Sequence, residues 1–349
     1  MKIVLTAPVT GVVAHVGSSA RDGYELAIEE INNSDLLGDT ELVLDVRDTK
    51  SEAQTAATEM TKAISDAEVS AVFGSQSSAE AVAQSPLAQQ HGMPIVYTQA
   101  GSDGVIVGEY TYRATPLMRN YYPLLADFVE ENGWQSVAQL YANYIPTLSD
   151  IGENALPALA EETGMEVTAS LGSPQSTQDF TSQVQKALDS DPDVVAVNLF
   201  AASNPTAVSQ LRQAGYEGPI LSTVSAGSGV LTPAGDDASD VVWAADFHVD
   251  MEAESTQAFV AAYREKYDED PLPYAAEAYD AAYFLARAIA EADSAGRDEI
   301  ADAMAVVSEE THDGALGRNL VWEDQELQVP GVVIRWDGEG EELLYEGES

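Results

Sequence analysis

Short apolar runs alternate with longer stretches whose apolar residues recur every three to four positions, and this rhythm holds for most of the chain. In the first half the runs fall near 3–7, 42–46, 70–73 and 94–97, with helical stretches near 18–33, 51–66 and 79–91. After Thr115-Pro116 the rhythm restarts: helix 120–132, strand 136–141, helix 150–164, strand 166–170, helix 179–190, strand 193–198, helix 205–215 and strand 219–222. A helical block follows over Glu254–Tyr267, Tyr274–Asp293 and Arg297–Val307. The stretch 318–346 has short apolar runs split by Asp, Glu and Gly, which predicts strands and turns. Strand-helix alternation twice over predicts an α/β fold of two doubly wound lobes with parallel sheets. No low-complexity linker divides the two series, and the stretches near 115–119 and 245–250 are expected to carry the chain between the lobes.

The segment 71–104 concentrates the candidate chemistry. It reads as a strand (Ala71–Phe73), a hydroxyl-rich turn (Gly74–Ser78), a helix from about Ala79 to His91, a strand (Pro94–Tyr97) and a polar loop (Thr98–Gly104). Two buried strands with a helix between them make a βαβ unit, whose strands run parallel. The turn presents free backbone N–H groups and the positive end of the helix dipole, and Ser75, Ser77 and Ser78 add hydroxyls beside the amide of Gln76. Such a turn receives a carboxylate or another anion. The loop after the second strand, with Gln99, Ala100, Gly101 and Ser102, leaves at the same sheet edge, where ligands of open α/β sheets sit. From the turn alone, the plainer account is that Ser77 or Ser78 only caps the helix.

The chain has 349 residues, 45 % of them hydrophobic, enough for two ordinary domains with a sizeable core. Its formal charge of −44, from 59 acidic and 15 basic residues, narrows the partners, because nucleic acid and anionic membrane surfaces repel such a chain. Molar salt screens this self-repulsion by cutting the Debye length to about 3 Å, so a halophilic source is the simplest account and an acidic mesophilic protein the alternative. Most carboxylates are then solvated surface. The absence of Cys excludes disulfides, a thiolate nucleophile and Cys-ligated metal. No run approaches the ~18 apolar residues of a membrane span. Met1-Lys2 leads straight into Ile3–Ala7 with no signal peptide, which fits a cytoplasmic protein or one whose targeting segment lies outside this sequence.

Catalytic signatures are missing. No GxSxG elbow, GxxxxGK[ST] loop or HExxH pair is present. Gly227-Ser228-Gly229 is followed by Thr232 where a dinucleotide fingerprint needs Gly. The four His residues, His15, His91, His248 and His312, lack metal-ligand spacing, so no metal or cofactor is expected. His15, in the loop expected after the first strand, is placed to face a ligand, although a lone histidine there is more often a surface or capping residue.

The order and spacing of several segments resemble the type I solute-binding proteins of ABC transporters, in particular the Leu/Ile/Val-binding group. Ala7-Pro8-Val9-Thr10-Gly11 with Gly17 is similar to that family's first strand and loop, and Arg21–Ala27 leading to Ile31-Asn32 to its first helix. Val43–Asp48 with helix 51–66 resembles its second βα unit. Gly74–Ser78, His91-Gly92-Met93-Pro94 and Ala100-Gly101-Ser102 resemble its ligand-carboxylate segment. Tyr112–Pro116 resembles its first crossover, and Phe259–Tyr263, Tyr274-Ala275-Ala276 and Tyr279–Ala282 its returning helices. The resemblance implies two lobes, 1–117 with 249–325 and 118–248 with 326–349, joined by a three-crossing hinge around a small ligand. It places Ser77 or Ser78, Ala100, Gly101 and Ser102 on the ligand's α-carboxylate. The acid that often binds the ammonium is absent, since Val224 and Ser225 stand there. Tyr144 and Asp150 lie near Ile151-Gly152, where the family has an aromatic-Gly pair, and Asn204 precedes Pro205 where it has an aromatic residue. An ammonium would therefore fall to Asp150, to carbonyls or to the ring of Tyr144. The implied function is non-catalytic: a monomeric receptor outside the cytoplasmic membrane, tethered by lipid, that delivers an amino acid or related carboxylate to permease subunits. A ligand sensor or amide-responsive regulator of the same fold is the alternative, and a doubly wound enzyme a more distant one.

Overall fold

The structure, a computed structural model, describes residues 1–347. The chain begins with β1 (Lys2–Ala7), α1 (Ala14–Asn32), β2 (Val43–Asp48), α2 (Ala53–Ser65), β3 (Val69–Phe73), α3 (Ser78–His91), β4 (Ile95–Tyr97) and β5 (Thr111–Arg113). It continues through α4 (Met118–Tyr121), α5 (Leu125–Asn132), β6 (Ser136–Ala142), α6 (Pro146–Asp150), α7 (Leu156–Thr163) and β7 (Glu166–Ser173). Next come α8 (Thr181–Leu188), β8 (Val194–Asn198), α9 (Ser203–Gln213), β9 (Ile220–Thr223) and β10 (Val241–Ala245). The last part holds α10 (Glu254–Tyr267), α11 (Pro273–Ala292), α12 (Arg297–Val307) and strands β11 (His312–Gly314), β12 (Gly317–Glu323), β13 (Glu326–Gln328), β14 (Val332–Trp336) and β15 (Glu341–Glu346). Two compact units result: Met1–Pro116 with Val249–Pro330, and Leu117–His248 with the chain from Gly331 on.

In the first unit the sheet runs β11-β12-β13-β5-β4-β3-β1-β2. Its strands β2, β1, β3, β4 and β5 are all parallel neighbours, and β11 and β12 extend it antiparallel beyond β13. Alternate residues of β1 and β3 serve opposite faces. Ile3, Leu5, Ala71 and Phe73 join α1, α11 and α12, whereas Val4 and Val72 join α2 and α3, as does Val69, which precedes a shift in the β1-β3 register that breaks the alternation. Burial on both faces explains why these strands read as continuous apolar runs rather than alternating ones. Helices α1 and α11 cross closely at Gly23, where a Cβ would stand 2.1 Å from the carbonyl oxygen of Ala275. No residue but glycine fits there.

The second unit's sheet runs β15-β14-β10-β9-β8-β6-β7. Here β7, β6, β8, β9 and β10 are parallel, and the hairpin β14-β15 closes the edge antiparallel. One face packs Val137, Val194, Ala196, Leu221, Val242 and Ala244 beneath α5 and α7. The hairpin turn is tied by Asp337 Oδ1, which accepts the N–H groups of Glu339 and Gly340 at 2.8 Å. A turn this short permits only antiparallel pairing, so the sheets are parallel in their cores and mixed at their edges.

The structure corrects four expectations of local detail. The expected crossing at 325/326 lies at Pro330/Gly331, because β13 pairs with β5 and Glu326 bonds the buried guanidinium of Arg113. β5 and β10 were not expected as strands. β10 is a five-residue run buried throughout, with no alternation to mark it. The expected helix 150–164 is interrupted by a wider turn over Ile151–Ala155 before α7. The expected helix 120–132 is tightened over Tyr122–Leu124 around Pro123, whose ring cannot sit in a regular helix interior.

Candidate functional site

Both parallel cores share one strand order, with the first strand of each unit flanked by the second and third. The order reverses between β1 and β3, and between β6 and β8. Ligands of open α/β sheets sit outside the carboxyl ends of the strands at such a switch point.

In the first unit the β3 end continues into the turn Gly74–Ser77. Gly74 N–H donates to Val96 O at 2.8 Å, and a Cβ on Gly74 would stand 2.2 Å from the Tyr97 ring. The glycine thus lets the turn lie flat on β4. Ser77 occupies the N-cap position of α3 with extended backbone, yet its hydroxyl makes no cap bond. The plain capping account of Ser77 therefore does not hold. The turn is braced from behind instead: Ser75 N–H donates to Gln84 Oε1 at 3.2 Å, Gln84 Nε2 to Thr6 Oγ1 at 2.8 Å, and Ser77 N–H to Ser75 Oγ at 3.2 Å. Ser75 Oγ in turn donates to the buried Glu80 at 2.5 Å. Glu80 N–H turns back to Ser77 O at 3.1 Å, which leaves the N–H groups of Ser78 and Ala79, and the half-buried side chains of Ser77 and Ser78, at the sheet edge.

In and beside the neighbouring loop, two of the expected side chains have buried, unpartnered atoms. Ser102 Oγ is buried and has no hydrogen-bond partner, and the same holds for Gln76 Oε1, whose Nε2 donates to Gly74 O at 3.2 Å. Gly101 is half-buried beside Ser102. Ala100 already has partners within the fold. Its N–H donates to Thr98 O at 2.7 Å and its carbonyl accepts from Arg113 Nη1 at 2.6 Å, because the chain turns tightly at Gln99, where φ is +58°. Gln99 is committed as well: its Nε2 donates to the buried carboxylate of Glu277 on α11, which needs donors to stay in the interior. His15 lies in the first turn of α1 rather than in a loop, exposed, with its ring 6.0 Å from that of Tyr274.

In the second unit three of the expected residues are committed to the fold. Asp150 Oδ2 accepts from Arg119 Nη1 at 3.0 Å and its Oδ1 from Asn154 Nδ2 at 2.8 Å, so both oxygens already have donors within its own unit. Asn204 is buried. Its Nδ2 donates to Leu199 O at 2.9 Å and Ser225 O at 3.0 Å, and its Oδ1 accepts from Leu199 N–H at 3.1 Å. Ser225 Oγ donates to Leu199 O at 2.8 Å. Asn204 and Ser225 thus stitch the loops after β8 and β9 together. Tyr144 follows β6 with 38 % of its surface exposed and remains accessible. Sequence reasoning missed Asn198 and Asp246, both fully buried at the carboxyl ends of β8 and β10. Both nitrogen and oxygen of the Asn198 amide lack a partner. Asp246 was legible only to a reader who had seen β10 as a strand, since an acid closing a buried run is then conspicuous.

Among the described residues no group of His, Asp and Glu is arranged to hold a metal, and no helix is long and apolar enough to cross a membrane. Residues 1–341 match the periplasmic binding protein family. The chain belongs to that family, a class of binding proteins rather than enzymes. It is 28 % identical over 286 residues to the Leu/Ile/Val-binding protein homolog 7 of Brucella melitensis, a match covering 76 % of this chain and 70 % of the relative. Its fold is shared with the branched-chain amino acid transporter substrate binding protein LivJ of Streptococcus pneumoniae, solved in complex with isoleucine (TM-score 0.85, 24 % identity, 99 % of each chain covered). It is also shared with an R. palustris ABC transporter solute binding protein solved in complex with benzoate (TM-score 0.81, 18 % identity, covering 99 % of this chain and 95 % of the other).

Proposed function

We propose that this chain is the solute receptor of an ABC importer, acting as a monomer outside the cytoplasmic membrane and binding a small carboxylate, in the first place a branched-chain amino acid. The observation that carries the reading is the α3 turn. Its N-cap hydroxyl makes no cap bond, the fold uses the N–H groups of Ser77 and Glu80 but not those of Ser78 and Ala79, and the buried Ser102 hydroxyl lacks a partner in the adjoining loop. Charge-assisted hydrogen bonds from such donors contribute about 1.5–3 kcal/mol each. The net charge of −44 does not oppose this, because salt screens the distant carboxylates within a few ångströms. The Brucella relative's name and the isoleucine complex of the Streptococcus protein support an amino acid. Permease subunits are then the partners, and a lipid tether would hold the receptor at the membrane.

A second reading is an aromatic carboxylate without an amine. It is favoured by the commitment of Asp150, Asn204 and Ser225 to the fold, and by the benzoate complex of the R. palustris protein. Isoleucine and benzoate share only the carboxylate. Calorimetric titration in molar KCl against leucine, isoleucine, valine and benzoate decides between the readings. We expect a branched-chain amino acid to bind at about micromolar Kd or tighter. A response to benzoate alone selects the second reading. Silence from the whole panel, or turnover of a bound compound, overturns both.

A further inference from the structure

The bracing of the α3 turn contains an acid that anion binding does not explain. Glu80, in the first turn of α3, is 1 % exposed. Its Oε2 accepts from Ser75 Oγ, the same hydroxyl that accepts the N–H of Ser77, so one hydroxyl links the N-cap residue to the Glu80 carboxyl. Its other oxygen, Oε1, is buried and makes no hydrogen bond. An ionised carboxylate in that position would lack about half of the donors it needs in the interior, whereas a neutral acid can keep one oxygen bare at smaller cost. The charged groups facing it from the neighbouring elements are also acids: Asp48 at the end of β2 and Glu52 just before α2. Lys50 acts on Asp48, and the Thr49 hydroxyl stands alongside Glu80. Burial is the leading cause that raises the Glu80 pKa above the ordinary carboxylate value; the Ser75 and Thr49 hydroxyls oppose it and the two acids add to it.

A negative Glu80 would also compete with the ligand carboxylate for the positive end of the helix on which the anion site depends. We propose that Glu80 is the proton partner of ligand binding: one proton from solvent rests on its carboxyl whenever a ligand carboxylate occupies the α3 turn, so binding is linked to proton uptake. This rests on the reading of the turn as a carboxylate site. It adds a positioning residue, since Glu80 acts through Ser75 and the helix end rather than by touching the ligand.

The test is calorimetric titration of the whole chain with L-leucine in molar KCl, from about pH 5.5 to pH 8, in buffers of different ionisation enthalpy. In the wild type the binding heat should depend on the buffer, showing uptake that approaches one proton. Affinity should fall with rising pH, at up to about tenfold per unit above the Glu80 pKa. Glu80→Gln should abolish both effects and bind more tightly than the wild type at the alkaline end, and Glu80→Asp should keep the linkage. Buffer-independent heats in the wild type overturn the proposal without a variant, and linkage that persists in Glu80→Gln overturns the assignment to this residue. If leucine does not bind, the amino-acid reading fails, and acetate, a bare carboxylate, decides Glu80 separately through the shift it causes in the unfolding midpoint. A shift that grows as pH falls in the wild type and is flat in Glu80→Gln supports the proposal. A shift independent of pH, or no shift at all, overturns it.

Discussion

Asp150 gives one carboxylate oxygen to Arg119, 3.0 Å from its Nη1, and the other to Asn154. The acid expected from the sequence to receive a ligand ammonium is thereby paired within its own unit. Asp150→Asn should leave leucine affinity within about twofold. It should also cost under about 1 kcal/mol of stability, because the pair is well exposed to solvent. A fall in affinity beyond tenfold, measured by titration calorimetry, would return Asp150 to the ligand.

The α3 turn gives the opposite expectation. Replacing Ser77 and Ser78 together by Ala removes two hydroxyls from the sheet edge without removing a helix cap, since Ser77 makes no cap bond. Affinity should drop by about tenfold or more for each hydrogen bond lost, with the unfolding midpoint nearly unchanged. Unchanged affinity in this double variant would show that the carboxylate binds elsewhere.

Gly23 tests the packing of the first unit. A methyl group there would meet the Ala275 carbonyl at 2.1 Å, and backbone on a long buried helix cannot rotate aside as a side chain can. Gly23→Ala should destabilise the protein by about 3 kcal/mol by forcing α1 and α11 apart. Denaturant unfolding checks this, and a loss below 1 kcal/mol would mean that the two helices separate easily.

Asp280, on α11, is buried and accepts the N–H groups of Ala315 at 2.7 Å and Leu316 at 2.9 Å. Burial is the leading cause that pushes its pKa from 3.8 up to about 6. A folded-state pKa above the unfolded value means that the native state holds the proton more firmly. The associated stability is complete below the unfolded value and is lost as pH rises through about 6. The loss amounts to about 3 kcal/mol. Asp280→Asn should be less stable than the wild type in acid but should lack this decline. Parallel slopes for the two proteins between about pH 4 and 6.5, in urea unfolding, would rule it out.

The charge of −44 predicts that the thermal midpoint rises steeply from low salt to molar KCl, as screening relieves carboxylate repulsion. A flat midpoint across that range would remove the halophilic reading.

The sequence by itself determined the α/β class, the repeated strand-helix rhythm and the hydroxyl-rich turn that opens α3. All three rest on local information. Apolar runs such as Ile3–Ala7 and Val69–Phe73 must be buried wherever the chain goes, and a hydroxyl-rich turn opening a helix exposes N–H groups in any context. Local rules lost their hold where a residue answers to a partner far along the chain. β10 has no alternation because neighbours on both faces cover it, and β13 joins the first sheet through Arg113 and β5, more than 200 residues earlier. Asp150, Asn204 and Ser225 look like ligand groups in sequence. Only the tertiary structure shows Arg119, Leu199 and the loop after β9 meeting their polar atoms. Burial decided the rest, by selecting which acids keep solvent and which, like Glu80 and Asp280, are enclosed where a charge is costly and the pKa is raised.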